Sequence, residues 1–149
     1  MQRDGWEQKM AELLKGKPVV DAMAQDIAAR VERLAQVGVV PTLAIVRVGE
    51  RPDDLSYERT ALKRADALGI AVRQIVLDEA VSQADLERAI MQVNNDATIH
   101  GCLLFRPLPT HLDETAVCNL LAPHKDIDGI TNASLASVFT DAGVGFAPA

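Results

Sequence analysis

The chain has few of the residues that mark several common classes of protein. Its 149 residues include only two cysteines, Cys102 and Cys118, and no C-x-x-C, so neither a zinc knuckle nor a redox pair is predicted. We interpret both cysteines as buried, reduced thiols. No apolar run approaches the roughly 20 residues that a membrane-spanning helix needs. Residues 1–15 also lack the apolar core of a signal peptide. These absences predict a soluble, cytoplasmic protein with no membrane partner.

Positive charge is also scarce. Lys and Arg total 15 against 21 Asp and Glu, which gives a formal net charge of −6. The basic residues are scattered, and no run is longer than Lys63-Arg64. This balance argues against nucleic acid as a partner. Hydrophobic residues make up 48% of the chain, which is typical of a globular domain with a substantial core.

The common short motifs of cofactor-dependent enzymes are missing as well. Gly143-Val144-Gly145 lacks a third glycine and does not stand between a predicted strand and helix, so it is no dinucleotide fingerprint. No P-loop or serine elbow is present. His100, His111 and His124 are too dispersed for a local metal motif. The sequence therefore predicts neither cofactor-binding residues nor a metal site in this chain.

What is present is an alternation of helical and strand patterns. Three apolar runs predict strands at Leu43–Val48, Ala71–Leu77 and Cys102–Phe105. Helical periodicity separates them, and Ser82-x-x-Asp85 is a capping box. The polar stretch Glu50–Asp54 contains a proline and predicts a loop. Residues 113–121 predict a fourth helix, and Thr131 or Asn132 could begin a fifth. The expected fold is α/β, a three-layer αβα sandwich with a small parallel sheet and helices on both faces. Ligands bind such sheets beyond the carboxyl ends of the strands.

Three stretches of the chain, taken together, resemble parts of one known protein family. The first runs from Val48-Gly49-Glu50-Arg51-Pro52 through Ser56-Tyr57 to Gly69-Ile70, the second is Gly101–Pro109, and the third is Lys125-Asp126-Ile127-Asp128-Gly129. In order and spacing they resemble the folate-binding lobe of bifunctional methylenetetrahydrofolate dehydrogenase/methenyltetrahydrofolate cyclohydrolase, the FolD family of one-carbon metabolism. The resemblance covers about Leu14 to the end. It implies an N-terminal extension at residues 1–13 and a folate-binding catalytic lobe at 14–149.

The resemblance also implies what this chain lacks. In that family the catalytic cleft lies between a tetrahydrofolate-binding lobe and a Rossmann lobe for NAD or NADP. Gly145-Phe146-Ala147-Pro148 resembles the hinge between the two lobes. We therefore expect an oxidoreductase and hydrolase that is homodimeric at full length and takes NAD or NADP only through the missing second lobe. A fragment is favoured over a natural stand-alone lobe, and the 149-residue chain alone is expected to be inactive.

The family's site residues carry over only in part. Tyr57 matches the tyrosine of a Tyr-x-x-x-Lys motif, and Asp128 matches an aspartate that contacts the pterin ring, so both are assigned as catalytic and substrate-binding. The lysine of the motif falls on Ala61. The glutamine after the third strand falls on Phe105. The serine before the tyrosine falls on Asp54.

The remaining substrate-binding candidates surround those positions: Asp54, Arg64, Phe105, Arg106, Pro107 and Pro109. Several alternatives stay open at this point. Arg106 either binds the glutamate tail of the folate, stabilises negative charge or simply faces solvent. Asp54 could cap the second helix, and Asp128 could cap the turn before Gly129. Arg64 shares a helix face with Tyr57 and could reach the space that the lysine would fill.

The lost lysine separates the two activities of the family. Alanine cannot transfer a proton, and an arginine is too basic to replace a general base. Hydride transfer needs only an aligned folate and nicotinamide, because the cofactor carries that chemistry. We therefore expect dehydrogenase function to survive more easily than cyclohydrolase function. The alternative is a degenerate, non-catalytic folate-binding or scaffold module.

Overall fold

The computed structural model describes residues 13–148. All but the last residue of the predicted N-terminal extension, 1–13, therefore lies outside the described residues. The elements are α1 Lys17–Gln36, β1 Thr42–Val48, α2 Pro52–Leu68, β2 Ala71–Leu77, α3 Gln83–Asn95, β3 Gly101–Leu104, α4 Glu114–Leu120, a 3-10 turn at Pro123–Lys125 and α5 Asn132–Thr140. Within this part of the chain, no helix is both long and apolar enough to cross a membrane.

The sheet is small and fully parallel. Its strand order is β2-β1-β3, with Val46 opposite Ile75 on one side and Leu104 on the other. The predicted strands and their parallel pairing are confirmed, although β3 begins and ends one residue earlier than expected. Phe105 lies just beyond β3, and its N–H still donates to the carbonyl of Val46 at 2.9 Å. The central strand is buried from Ala44 to Val48, as its unbroken apolar run predicts.

Side chains alternate between the two faces of the sheet. On one face, Ala44 and Val46 pack in the main core with Leu86 and Ile90 of α3 and with residues of α4. On the other face, Ile45, Leu103 and Phe105 form a smaller cluster against Ala61 of α2. Helix α1 packs on α2 and buries none of its residues. The predicted three-layer αβα sandwich is confirmed, with α2 and α3 the layers nearest the sheet.

The start of α2 differs from the sequence-based prediction. Residues 50–54 were predicted to form a loop, but the helix begins at Pro52 and its N-cap is Arg51 in an extended conformation. Proline suits the first helical position because its fixed φ is helical and its missing N–H would have no partner there. Asp54 is therefore not the N-cap. With Asp53 it occupies the first turn, where carboxylates interact favourably with the helix dipole.

The other helix starts agree with the sequence. The Ser82 hydroxyl accepts from the Asp85 N–H at 3.2 Å and caps α3. The Asp113 carboxylate accepts from the Ala116 N–H at 2.9 Å at the start of α4. Thr131, rather than Asn132, caps α5. Each such cap contributes about 1 kcal/mol to stability and fixes where the following loop meets its helix.

Both cysteines are buried and neither forms a disulfide, which confirms the interpretation as reduced thiols. Burial raises the pKa of the Cys102 thiol to about 12, and it also raises the pKa of Cys118. Because the thiolate is the reactive form, both side chains are held in their unreactive state at neutral pH.

We predict that neither thiol reacts with an aromatic disulfide reagent at pH 8 until the protein unfolds. Absorbance of the released thiolate should show no reactive thiol per native chain and two in denaturant. An Ala133→Cys variant, whose new thiol stands on the exposed surface of α5, should label rapidly and serves as the control. Rapid labelling of the native parent chain would contradict the buried assignment.

Candidate functional site

A pocket of about 370 Å³ opens at the carboxyl end of the sheet. Its walls come from the first turns of α2, the end of β3 and the K-D-I-D-G segment. The lining residues are Arg51, Asp53, Asp54, Tyr57, Leu103, Leu104, Phe105, Arg106 and Asp128. The structure thus brings together five of the predicted site residues at the edge where parallel sheets bind ligands.

An aromatic pair forms one wall of this pocket. The rings of Tyr57 and Phe105 meet edge to face, with centroids 5.5 Å apart and planes at 71°. Phe105 is buried in the cluster with Ile45 and Leu103, whereas Tyr57 is 59% exposed. The buried ring therefore braces the exposed one. The outer surface of Tyr57 is open to stack on a planar ligand.

The K-D-I-D-G segment begins with a lysine that serves the fold. Lys125 is buried, and its ammonium donates to the carbonyls of Val93, Asn94 and Asp96 at 2.7, 3.0 and 2.8 Å. These carbonyls lie at the C-terminal end of α3, where a cation is favourable. Lys125 thus ties the segment to α3 and is not available to a ligand.

Asp126 is the second structural residue of this segment. Its carboxylate accepts from the N–H groups of Ile130 at 3.0 Å and Thr131 at 2.9 Å, and from the Ser134 hydroxyl at 2.7 Å. Burial alone would raise the pKa of Asp126, but these hydrogen bonds together hold it below its ordinary value. Asp126 therefore fixes the turn that leads into α5.

Asp128 is the charged residue of this segment that lines the pocket. It is half-buried, it lines the cavity, and its carboxylate makes no side-chain hydrogen bond with the residues of 13–148. The idea that it caps the turn before Gly129 is wrong, because the Gly129 N–H donates to the backbone carbonyl of Asp126 and no described N–H donates to the Asp128 carboxylate. A carboxylate in this setting can accept two parallel N–H bonds from a ligand.

Position 129 has no space for a side chain, because residues 146–148 pass close to Gly129. Its φ is +66°, and an added Cβ would lie 2.6 Å from the Pro148 nitrogen and 2.8 Å from the Phe146 oxygen. The predicted hinge residues, 145–148, therefore run against the turn that presents Asp128. A side chain at Gly129 would force these two segments apart.

The turn after β3 is held by Glu114. One oxygen of its carboxylate accepts from the Leu108 N–H at 2.7 Å, and the other lies 3.7 Å from Nη1 of Arg106. Arg106 is thus loosely paired on the pocket wall rather than facing bulk solvent alone. Arg51 donates from Nη1 to the Pro107 carbonyl at 3.0 Å and joins this turn to the start of α2.

Not all predicted residues meet in one place. Pro107 and Pro109 line a neighbouring cavity of about 390 Å³, and Arg51 stands between the two cavities because it lines both. Ala61 and Arg64 line a groove of about 440 Å³ along α2. The face they share with Tyr57 is as predicted, and the groove adjoins the pocket at Tyr57, which lines both.

Two charged residues of the pocket were missed by the sequence analysis, Arg51 and Asp53. Both were assigned to a loop, so their side chains had no predicted direction. The signal that could have found them is Pro52, which favours the first helical position. Within residues 13–148, no three side chains of His, Cys, Asp or Glu converge as a metal ion would require.

Comparison with known proteins gives one consistent family. Residues 14–128 match the model of the tetrahydrofolate dehydrogenase/cyclohydrolase catalytic domain. The chain is 42% identical over 139 residues to the bifunctional protein FolD of Carboxydothermus hydrogenoformans, covering 93% of this chain and 48% of that protein. For the Clostridioides difficile protein the identity is 41% over 137 residues, covering 92% and 48%. The chain thus spans about half the length of the curated relatives it matches.

Solved structures agree with this similarity. The bifunctional FolD enzyme of Campylobacter jejuni superposes with a TM-score of 0.88 at 26% identity, covering 92% of this chain and 49% of that one. A methylenetetrahydrofolate dehydrogenase from the silkworm Bombyx mori gives 0.82 at 28%, covering 89% and 46%. The Trypanosoma brucei enzyme, solved with NADP and an inhibitor, gives 0.84 at 26%, covering 93% and 48%.

We predict that Asp126→Asn destabilises the fold by roughly 2–3 kcal/mol, because the new amide group would face N–H and hydroxyl donors. The lowered pKa of Asp126 contributes stability that is fully present above about pH 4, the ordinary value of an unfolded aspartate. That stability is lost as the pH falls through the lower folded value.

Urea unfolding at pH 7, 4 and 3 measures both effects. The parent chain should lose stability steeply below pH 4, and Asp126→Asn should show a shallower loss from a lower starting point. Asp66→Asn, at an exposed position on α2, is the control and should follow the parent. Equal stability of Asp126→Asn and parent at pH 7 would contradict the role assigned to this carboxylate.

Proposed function

The chain belongs to the tetrahydrofolate dehydrogenase/cyclohydrolase family, and we propose that it is the folate-binding lobe of a methylenetetrahydrofolate dehydrogenase. The proposed reaction is the NAD- or NADP-dependent oxidation of methylenetetrahydrofolate to methenyltetrahydrofolate. One observation carries the proposal. The exposed ring of Tyr57 and the carboxylate of Asp128, which has no hydrogen-bonding partner among the described side chains, line the same pocket.

Both residues suit a reduced pterin. The 2-amino group and the adjacent ring N–H present two donors side by side, and the Asp128 carboxylate can accept from both. The planar part of the folate can stack on the exposed surface of Tyr57, whose ring is held by its edge-to-face contact with Phe105. The bound folate would then lie across the carboxyl end of the sheet.

Arg106 extends this assignment to the glutamate tail of the folate. Its guanidinium lines the pocket and lies 3.7 Å from the Glu114 carboxylate, too far for a tight ion pair. A partly exposed arginine in a loose pair retains N–H groups that can bind a ligand carboxylate. We assign Asp54 to the pocket rim and Pro107 and Pro109 to the adjoining turn.

The cofactor would come from a second lobe. NAD or NADP would supply the hydride acceptor when bound there, as in the relative solved with NADP. The residues of this chain would bind the folate and orient its methylene bridge. A cytoplasmic location and a homodimeric full-length protein belong to the same proposal, and they rest on the family resemblance.

Cyclohydrolase activity is proposed to be weak or absent. Ala61 carries no proton-transferring group at the position where the family resemblance places a lysine. Phe105, at the position of the glutamine, is buried and apolar. Arg64 lines the groove along α2 rather than the pocket, and a guanidinium is too basic to act as a general base.

We predict that Asp128→Ala weakens the binding of tetrahydrofolate to the 149-residue chain about tenfold or more. The reason is the loss of a charge-assisted hydrogen bond worth roughly 1.5–3 kcal/mol. Titration calorimetry measures the change. Glu32→Ala removes one carboxylate from the exposed side of α1 and should bind like the parent. Equal affinity of Asp128→Ala and parent would contradict the site, and no binding by the parent would favour a scaffold role.

A second prediction concerns Ala61→Lys in a polypeptide that joins this lobe to the part of the Carboxydothermus relative that the chain does not match. A restored ammonium should raise the hydrolysis of methenyltetrahydrofolate about a hundredfold, the lower end of general acid–base contributions. The loss of methenyl absorbance measures the rate. Ala61→Met matches the lysine in size without its charge and should stay at the parent rate. Equal rates for the two variants would refute the assigned cause.

A further inference from the structure

A buried ion pair joins β1 to α2, the helix that carries Tyr57. Nε of Arg47 is 3.0 Å from Oε2 of Glu58, and the two side chains are only 7% and 5% exposed. The second carboxylate oxygen, Oε1, accepts from Nε2 of Gln74 at 2.7 Å. Arg47 also donates to the carbonyl of Gly49. Both carboxylate oxygens of Glu58 and two of the three guanidinium nitrogens of Arg47 are therefore hydrogen-bonded within the fold.

This network touches each segment that carries the aromatic wall. Arg47 lies on β1, and its neighbour Val46 accepts the N–H of Phe105. Glu58 directly follows Tyr57 on α2. The Gly49 carbonyl lies in the loop that leads from β1 into α2. The hydrogen bonds of Arg47 and Glu58 thus connect the backbone segments that carry Tyr57 and Phe105.

Stability alone gives little reason for the pair. Removing two charges from water opposes folding, and an apolar pair of similar volume is often as stable or more so. Apolar packing, however, is not directional. Hydrogen bonds from a guanidinium require a fixed geometry, so they determine how α2 is rotated and where it sits along β1.

We propose that Arg47 and Glu58 are positioning residues for the folate site, because they hold Tyr57 in its edge-to-face contact with Phe105. The effect on folate binding rests on the proposed function. The effect on the ring geometry does not, since it concerns only residues of this chain. A small rotation of α2 would move the Tyr57 ring away from Phe105 while leaving the helix packed on the sheet.

The test uses the double variant Arg47→Met/Glu58→Leu, which replaces the ion pair by apolar side chains of similar size. Tyr57 is the single tyrosine of the chain, so its ring protons are identified in an NMR spectrum without ambiguity. Nuclear Overhauser effects between Tyr57 and Phe105 report the ring contact. Urea unfolding and tetrahydrofolate calorimetry are measured on the same samples. Lys17→Met/Asp21→Leu, which removes an exposed ion pair of α1, is the matched control.

We expect the double variant to be as stable as the parent chain, to lose most of the Tyr57–Phe105 effects and to bind tetrahydrofolate at least tenfold more weakly. The control should retain the parent's ring contact and affinity. Parental ring contacts in a stable double variant would overturn the proposal. If the parent chain does not bind tetrahydrofolate, the proposed function fails. The Tyr57–Phe105 contacts then still test whether Arg47 and Glu58 position the Tyr57 ring.

A milder variant covers the case in which the double variant does not fold. Gln74→Leu removes one hydrogen bond to Glu58 and leaves both charges in place. We expect a smaller loss of the Tyr57–Phe105 effects in the same direction. Unchanged effects in that variant, together with a double variant that does not fold, would reduce the pair to a purely structural role and overturn the proposal.

Discussion

The site depends on one buried carboxylate, Asp126. Its backbone pairs with Cys102 beside β3, and its oxygens hold the N–H groups and the hydroxyl at the start of α5. Burial of this charge is unfavourable by itself, but its hydrogen bonds more than offset that cost and hold the pKa of Asp126 below its ordinary value. Because Lys125 binds the end of α3 in the same turn, the backbone on both sides of Asp128 is fixed. Asp128 can then keep its position although its carboxylate has no hydrogen-bonding partner within residues 13–148.

The three charged residues of this short motif therefore have two different roles. Lys125 and Asp126 are buried and serve the fold, while Asp128 faces the pocket. The sequence alone does not distinguish the two buried residues from the pocket residue, because all three side chains are charged and polar. The resemblance pointed to Asp128, and the hydrogen bonds supply the physical reason. A carboxylate that the fold does not use is the one that remains for a ligand.

The fold could be predicted largely from local patterns. The apolar run at Leu43–Val48 predicts a strand buried on both faces, and the capping signal at Ser82 is a contact within a few residues. The start of α2 was misplaced because the polar residues around Pro52 were interpreted as a loop. The Arg47–Glu58 ion pair could not be predicted from the sequence for another reason. Its partners belong to different elements, and a charge in a helix pattern ordinarily indicates an exposed face.

The altered site residues are consistent with one chemical change. Ala61 and Phe105 stand where the family resemblance places a lysine and a glutamine. Phe105 therefore adds apolar packing against Tyr57, and position 61 has no group that can transfer a proton. The aromatic wall still orients a planar ligand, because stacking requires no proton transfer. Hydride transfer depends on alignment, and hydrolysis depends on moving a proton. A lobe that keeps Tyr57 and Asp128 but lacks the ammonium can therefore retain the first requirement without the second. On this argument, the two activities of the family place separable demands on the same pocket.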